Sequence, residues 1–436
     1  MGRNASKHTT GRRAFIGGLA AASGAVALAR PFAPARADTP VRCAYLVPGY
    51  KADLANYRGE PAATAPGLRR DFPKGYDGGV TMIARVEEKD GSLRRAIMPI
   101  QGHQIAVHPR NKLALWNSMN GPNYVTVDPL ALKLDRVLPC HAPEYMGGGH
   151  SAFTEAGDTV FSTERKRQDL PFGKPADLYG RLVVRDARDF KTLAAYDTQG
   201  IGSHEVRLTG DGRHAVIANY GTVKQPGQEP RWEAVEPCVT VLEVASGKLV
   251  YKRALAGSAG EVRHLAAPTL NRIAAHVVVE QHVDGYPRLP GDDDVIAEFD
   301  PDTAGGSFYA PGSVGHFDAT RPDLAPVLAQ PGDRMAARQG QSMAYDPGSD
   351  ETIGTFASSH SLIVVDAPSG RIKRVIGTER YGLRYPRGIV LHPDGRHYAV
   401  SGGWQGIYLF RRGTHEIVWE RTLHPLLFDH SHMTAI

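Results

Sequence analysis

The chain has 436 residues, 51 of them basic and 46 acidic, for a formal net charge of +5. Six of the basic residues (Arg3, Lys7, Arg12, Arg13, Arg30 and Arg36) and no acidic one fall in the first 37 positions, which leaves 45 basic against 46 acidic residues in the remainder. That balance removes the electrostatic support of a nucleic-acid binder, and Cys43, Cys140 and Cys238 show neither C-x-x-C spacing nor a haem-attachment motif.

Residues 1–37 read as an address. Thr10-Gly11-Arg12-Arg13-Ala14-Phe15-Ile16 carries a twin arginine, an apolar run rich in small residues follows from Ala14 to Ala29, and Ala35-Arg36-Ala37 is an A-x-A cleavage site. The run is 16 residues long, short of the roughly 20 needed to span a bilayer. The expectation is a twin-arginine (Tat) signal peptide that is cleaved off, with the Tat translocase as export partner. The location is then periplasmic, with no stable membrane anchor. In that oxidising compartment two cysteines have the chance to pair, and the third reads as buried and inert.

The remaining residues, 38–436, read as a single domain. Chains beyond roughly 300 residues usually divide unless they are built from repeats. No linker rich in Pro, Gly and Ser cuts this one, and its 31 prolines and 48 glycines are spread throughout, as in an all-β protein dense in turns.

The repeat is clearest at Ile201–Tyr220. Val206 and Leu208 alternate with polar residues, Gly210-Asp211-Gly212 makes a tight turn, and Ala215–Ala218 forms a second apolar strand. Units of the same form start at His103, His150, His204, His264, Gln341, Arg387 and His432, spaced by 47, 54, 60, 77, 46 and 45 residues. A third strand follows each of the first six, for example Val125-Thr-Val-Asp and Leu362-Ile-Val-Val-Asp. The segment from Val80 to Val86 has no first strand of its own, and the C-terminal His432 strand has no successor. The pattern predicts a seven-bladed β-propeller of four-stranded antiparallel blades, closed by pairing of the C-terminal strand with a strand near Arg42–Val47.

In a propeller the first strand of each blade lines the central channel. The seven unit starts therefore converge near one mouth, and five of them are histidine. With 18 histidines in 436 residues, seven places would hold about 0.3 by chance. Neutral imidazole suits Cu, Fe or Zn, so His103, His150, His204, His264 and His432 are the candidate metal ligands. Each also has a plain reading as a polar residue hydrogen-bonded in the channel. Gln341 and Arg387 fill the other two places, and Arg387 beside a metal suits an anionic ligand. Strand-two ends reach the same face: Asn117, Glu164, Asn219, Glu280 or Gln281, His360 and Trp404. Glu164 and Glu205 read as acids that orient an imidazole, or as partners of Arg165 and Arg207. Asn219, Gln341, His360 and Arg387 complete the hub set. His430 with His432 is a further candidate pair. Long connections (225–237, 281–294) mark this face as the functional one, and Tyr309–Arg338 is expected to act as a lid. His108, His214, His392 and His397 read as surface residues of the opposite face, and Asp292-Asp293-Asp294 as a solvated loop.

Several motifs carry a family resemblance: Gly149-His150 with Thr163-Glu164, Gly202-Ser203-His204-Glu205, Ala218-Asn219, and Arg263-His264-Leu265-Ala266. Over about residues 100–270 the chain resembles domain-of-unknown-function family 1513, a set of Tat-exported propellers similar to quinoprotein amine dehydrogenases. Ser203 stands where that pattern has proline, and Tyr220 where it has glycine. The resemblance implies the fold and export but no reaction, and it points to periplasmic iron-handling neighbours. The histidine ring also resembles the copper-binding hub of nitrous oxide reductase. Two functions from different classes follow. One is a periplasmic metalloprotein with Cu or Fe in a redox or metal-handling role, served by an iron- or copper-handling or redox partner. The other is a non-catalytic binding propeller that holds a protein or small anion on the long-loop face. A quinone-cofactor enzyme is a weaker third, because the tryptophan repeats of quinohaemoprotein propellers are missing.

Overall fold

Alternate residues of the repeated strands are apolar, and almost all of them are buried on both faces of their sheet. Tyr398 and Phe410 pack towards one neighbouring blade with Ile353, Leu362 and Val364, while Ala399 and Leu409 of the same two strands pack towards the other with Tyr45, Val47 and Val86. A sheet buried on both faces needs a sheet on either side, and repetition of that demand around an axis gives a ring.

The computed structural model describes residues 41–49, 69–70, 81–110, 113–224, 232–255, 260–282, 307–402, 406–424, 426 and 432–436. Residues 41–436 form one unit. It is a seven-bladed β-propeller of antiparallel blades. Blade 2 is Gly102–Val107, Ala114–Ser118, Asn123–Asp128 and Lys133–Pro139. Blades 3, 4, 5 and 6 start with the inner strands Tyr145–Phe153, Ser203–Leu208, Glu261–Ala266 and Gly340–Asp346, and each runs outward in chain order through four strands. Blade 7 contains Pro386–Leu391, His397–Gly402 and Gly406–Arg411. In blade 1 the inner strand is C-terminal: Thr434–Ala435 pairs antiparallel with Ala44–Pro48 through Tyr45↔Ala435 and Leu46↔Thr434. Paired Ala44–Ile436 backbone hydrogen bonds of 3.0 and 2.8 Å extend that closure. The seven inner strands contact one another in an unbroken circle.

Helical structure among the described residues is confined to short 3-10 turns, and no helix there is long and apolar enough to cross a membrane. The signal-peptide residues, Trp404, His430 and Asp292–Asp294 lie outside the described residues, and the side chains of Glu280 and Gln281 are not described.

Three expectations need correction. Tyr309–Arg338 is not a lid: Ser307–Phe317 and Val327–Ala329 are the third and fourth strands of blade 5, because Phe317 and Val314 are needed as core residues there. His108 and His392 are buried rather than at the surface. Each follows an inner strand and reaches across to the next blade, His108 Nε2–H donating to the Gly157 carbonyl at 2.8 Å and His392 Nε2 bonding Glu88 Oε2 at 2.9 Å. His397, half-buried, bonds Asp394 at 2.7 Å. The three cysteines are buried, unpaired thiols, and burial pushes the Cys238 thiol up to about 12.

Candidate metal centre

Every inner strand of blades 2, 4, 5, 6 and 7 slips register at its hub residue. The slips lie between Gly102 and Ile105, Ser203 and Val206, Val262 and Leu265, Gly340 and Ser342, and Pro386 and Ile389. They bracket His103, His204, His264, Gln341 and Arg387. In blade 3 the slip also lies on the inner strand, where residues 148–150 between Gly147 and Ser151 stand opposite Thr163 alone, and it brackets His150. A β-bulge leaves its extra residue out of the ladder and re-aims the side chain, so each of these six blades turns one side chain from its sheet face towards the axis. Blades 3 and 6 repeat a second device. Thr163 Oγ1 donates to the His204 carbonyl and Thr355 Oγ1 to the Arg387 carbonyl, both at 2.6 Å. Arg387 thus takes in blade 7 the place that His204 takes in blade 4.

Five imidazoles meet there. Nine of the ten ring pairs among His103, His150, His204, His264 and His432 have centroid separations of 4.4 to 6.3 Å. His103 Nε2 and His432 Nε2 are 2.9 Å apart. Gly149, at φ +109°, makes the approach feasible: a Cβ there would lie 2.8 Å from His103 and 3.0 Å from His204.

Hydrogen bonds set the orientation of the rings. His204 Nδ1–H donates to the Gly148 carbonyl at 2.6 Å, which leaves Nε2 as the lone-pair nitrogen of the neutral ring. That Nε2 is buried and has no hydrogen-bond partner among the described residues, and the same holds for His150 Nε2. His264 Nδ1 faces Glu205 Oε2 at 3.1 Å, an oxygen that also accepts from the Leu265 amide at 3.0 Å. Glu205 Oε1 lies 3.8 Å from His150 Nδ1 and 2.6 Å from an Arg207 nitrogen. Burial and then the neighbouring imidazoles hold His150, His204 and His432 well below the ordinary imidazole range. His264 is lowered by burial, which Glu205 partly offsets. Burial pushes the Glu205 carboxyl up, but Arg207 and His264 outweigh it and keep it below the usual carboxylate range. At neutral pH His150, His204, His264 and His432 are therefore neutral nitrogen donors beside one carboxylate. Three groups have ligand atoms within 4.8 Å of one another: His103, His150 and His432; His103, His204 and His264; and His150, Glu205 and His264.

The other residues of the expected hub set separate. Gln341 accepts from Arg387 Nη1 at 3.4 Å on the ring. Glu164 does not orient a hub imidazole. It is buried against Arg185 at 3.0 Å and His141 Nδ1 at 2.5 Å, in contacts that join the Cys140–Tyr145 connection to blade 3. Asn219 is committed to Ser203 Oγ (2.8 Å) and Thr240 Oγ1 (3.0 Å) within blade 4, and Asn117 holds Gln104 and Ser151 in the same manner. His360 sits at a strand-two end, but its Nδ1 accepts from the Tyr385 amide at 3.0 Å. Small polar residues at strand ends thus support the bulges rather than the axis.

His141 and His276 escaped the reading from sequence because neither stands at a unit start. His276 is fully buried against Phe356, with its ring 6.3 Å from His264. Cβ atoms at Gly340 and Gly354 would come within 2.4 and 2.5 Å of its ring, a complementarity that spacing does not reveal.

A seven-bladed propeller with an imidazole cluster around its axis is the class that this fold and hub define. Residues 96–291 match the model of the family described as Protein of unknown function (DUF1513). His103, His150, His204 and His264 fall inside this stretch, and His432 falls outside it. Among solved structures the chain is similar to Kuenenia stuttgartiensis hydrazine synthase at 13% identity and a TM-score of 0.54, over 80% of this chain and 96% of that one. At such identity the likeness shows the propeller fold alone. No curated protein matches the chain.

Proposed function

We propose that the hub binds a transition-metal ion, copper or iron, in a protein that acts in the periplasm after Tat export, in a redox or metal-handling role. The observation that carries the reading is the pair of buried, unpartnered Nε2 atoms on His150 and His204. A buried acceptor without a donor costs about 1–3 kcal/mol, and a metal ion is the partner that suits a converging set of neutral imidazoles. The groups present fit such an ion. Imidazole nitrogens sit about 2.0–2.1 Å from a bound metal and hence roughly 3.3–3.6 Å from one another in a triad, so triads with ligand atoms within 4.8 Å close on an ion by rotamer shifts of up to about 1.5 Å. Glu205 on His264 and the Gly148 carbonyl on His204 are the outer partners that fix tautomer and ring direction in imidazole metal sites. Five rings exceed what one ion takes, so two to four ligate and the others line the approach. An iron- or copper-handling or redox protein of the same compartment is the expected partner.

Metal analysis of protein purified from the periplasm tests this directly. Stoichiometric copper or iron that disappears in His204→Ala supports the reading. Protein free of metal, with normal stability, returns it to the class of non-catalytic binding propellers. Replacing Arg12 and Arg13 by Lys is expected to leave precursor in the cytoplasm, because the translocase reads the arginine pair. Normal periplasmic accumulation of that variant overturns the export assignment.

A further inference from the structure

The ring is closed by its shortest inner strand. The inner strands of the other six blades run for six to nine residues, whereas Thr434–Ala435 has two. It meets Ala44–Pro48 through the pairs Tyr45↔Ala435 and Leu46↔Thr434, extended by the Ala44–Ile436 bonds. On its other side Thr434 Oγ1 donates to the Ile105 carbonyl of blade 2 at 2.8 Å, and Met433 is buried in the apolar cluster of Tyr45, Val47 and Ala399. So short a ladder at a chain end opens locally for much less free energy than unfolds the whole domain.

His432 belongs to this same terminal segment. It is 6% exposed, and its Nε2 stands 2.9 Å from His103 Nε2. Its ring lies 4.7 Å from that of His150 and 4.8 Å from that of His264. Those three partners stand on the inner strands of blades 2, 3 and 5, each of six or more residues. The terminal segment is thus tied to blade 1 by a two-residue ladder and to three longer strands by one imidazole. Both all-histidine triads engage it. In His103–His150–His432 it is itself a ligand, and in His103–His204–His264 the ion sits on His103, the ring that faces His432. Whatever binds the closed form better than the open one stabilises closure by mass action, and departure of the strand takes His432 away from the ion.

We infer that the hub ion is a latch on the ring. Metal occupancy holds residues 432–436 in place, and the metal-free chain releases them locally while the other blades stay folded. The inference rests on the metal reading and adds a conformational consequence to it. Release bares the edge of Ala44–Pro48, whose backbone groups can then pair with another strand, so loaded and empty protein present different surfaces at this seam.

The test is hydrogen exchange of the mature chain, read by mass spectrometry, in metal-free protein and in protein loaded with Cu(II) or, without oxygen, Fe(II). With free ion at about 100 times its dissociation constant, exchange in the peptide covering 432–436 should slow by about ten- to hundredfold. Exchange in Ser361–Asp366, the third strand of blade 6, should stay the same. His432→Ala should abolish the metal-dependent difference at the C-terminal peptide; the wild-type comparison decides the matter even if that variant fails to fold. An ion that binds yet leaves terminal exchange unchanged, or slows blade 6 equally, overturns the latch and leaves the metal reading standing. A metal-dependent difference that survives in His432→Ala does the same. Failure of both ions to bind overturns both.

Discussion

Two clusters in this propeller hold the same kinds of residue and differ in what surrounds them. On the axis, five histidines and Glu205 converge. At the seam between blades 7 and 1, Cys43, Glu88 and His392 converge as well, with ligand atoms within 4.8 Å of one another. The seam is closed by Arg421, which bonds Glu88 at 2.6 Å, Asp394 at 2.7 Å and the Val41 carbonyl at 3.1 Å, and stands 3.1 Å from His392 Nε2. A guanidinium occupies the position from which a cation would bind, and every carboxylate there is paired. Imidazole protonation runs in opposite directions in the two places. Burial lowers His150, His204, His264 and His432; neighbouring imidazoles lower His150, His204 and His432 further, while Glu205 partly offsets the effect at His264. Burial also acts to lower His392, but Cys43, Glu88 and Asp394 more than offset it and raise the ring to about 9. Ligand-type side chains therefore do not by themselves make a metal site. Buried lone pairs facing one space set the hub apart and support the proposed metal site there, whereas a completed ion-pair network makes the seam a clasp.

The sharpest way to break this contrast is to remove the clasp. Arg421→Ala leaves Glu88 and Asp394 buried without their cation and should cost about 3–5 kcal/mol, read as a lower urea midpoint, with hub metal affinity unchanged. A small stability change would show that the seam is not a clasp. The reverse experiment is His264→Ala. It should lower metal affinity by more than the roughly 10–100-fold typical of losing an outer partner, while thermal unfolding moves little. Loss of the fold without loss of affinity per folded molecule would invert the assignment. Glu205→Gln should weaken metal binding by roughly 10–100-fold, measured by competition with a chromophoric chelator. An effect on folding alone would make Glu205 a packing residue.

The smallest effect is in pH. His392 has a folded value near 9 against about 6.5 unfolded. Its stabilisation is therefore complete below pH 6.5 and fades as pH rises through 9. The hub rings are depressed, so in metal-free protein their contribution is complete above pH 6.5 and declines as pH falls below it. Urea midpoints from pH 4 to 10 should decline at both ends. His392→Gln should flatten the alkaline limb and His150→Gln the acid limb; an exchange of those effects would refute the comparison.

The seven unit starts, the ring order and the closing strand were legible in the sequence, because propeller blades repeat a two-residue apolar period at nearly constant spacing. The convergence of His103, His150, His204, His264 and His432 followed from that symmetry, since equivalent places in equivalent blades share a distance from the axis. Other features required the tertiary structure. Glu164, Asn219 and His360 stand where the repeat puts strand-two ends, yet their partners come from other strands and connections: His141 and Arg185, Thr240, Tyr385. His392 reads as a turn residue until Glu88, 304 positions earlier, is brought against it. Sequence period thus determines which side chains share a radius and a face. Bulges, close glycines and long-range partners decide which of them keep a lone pair to offer, because hydrogen bonding is settled by neighbours in space rather than along the chain.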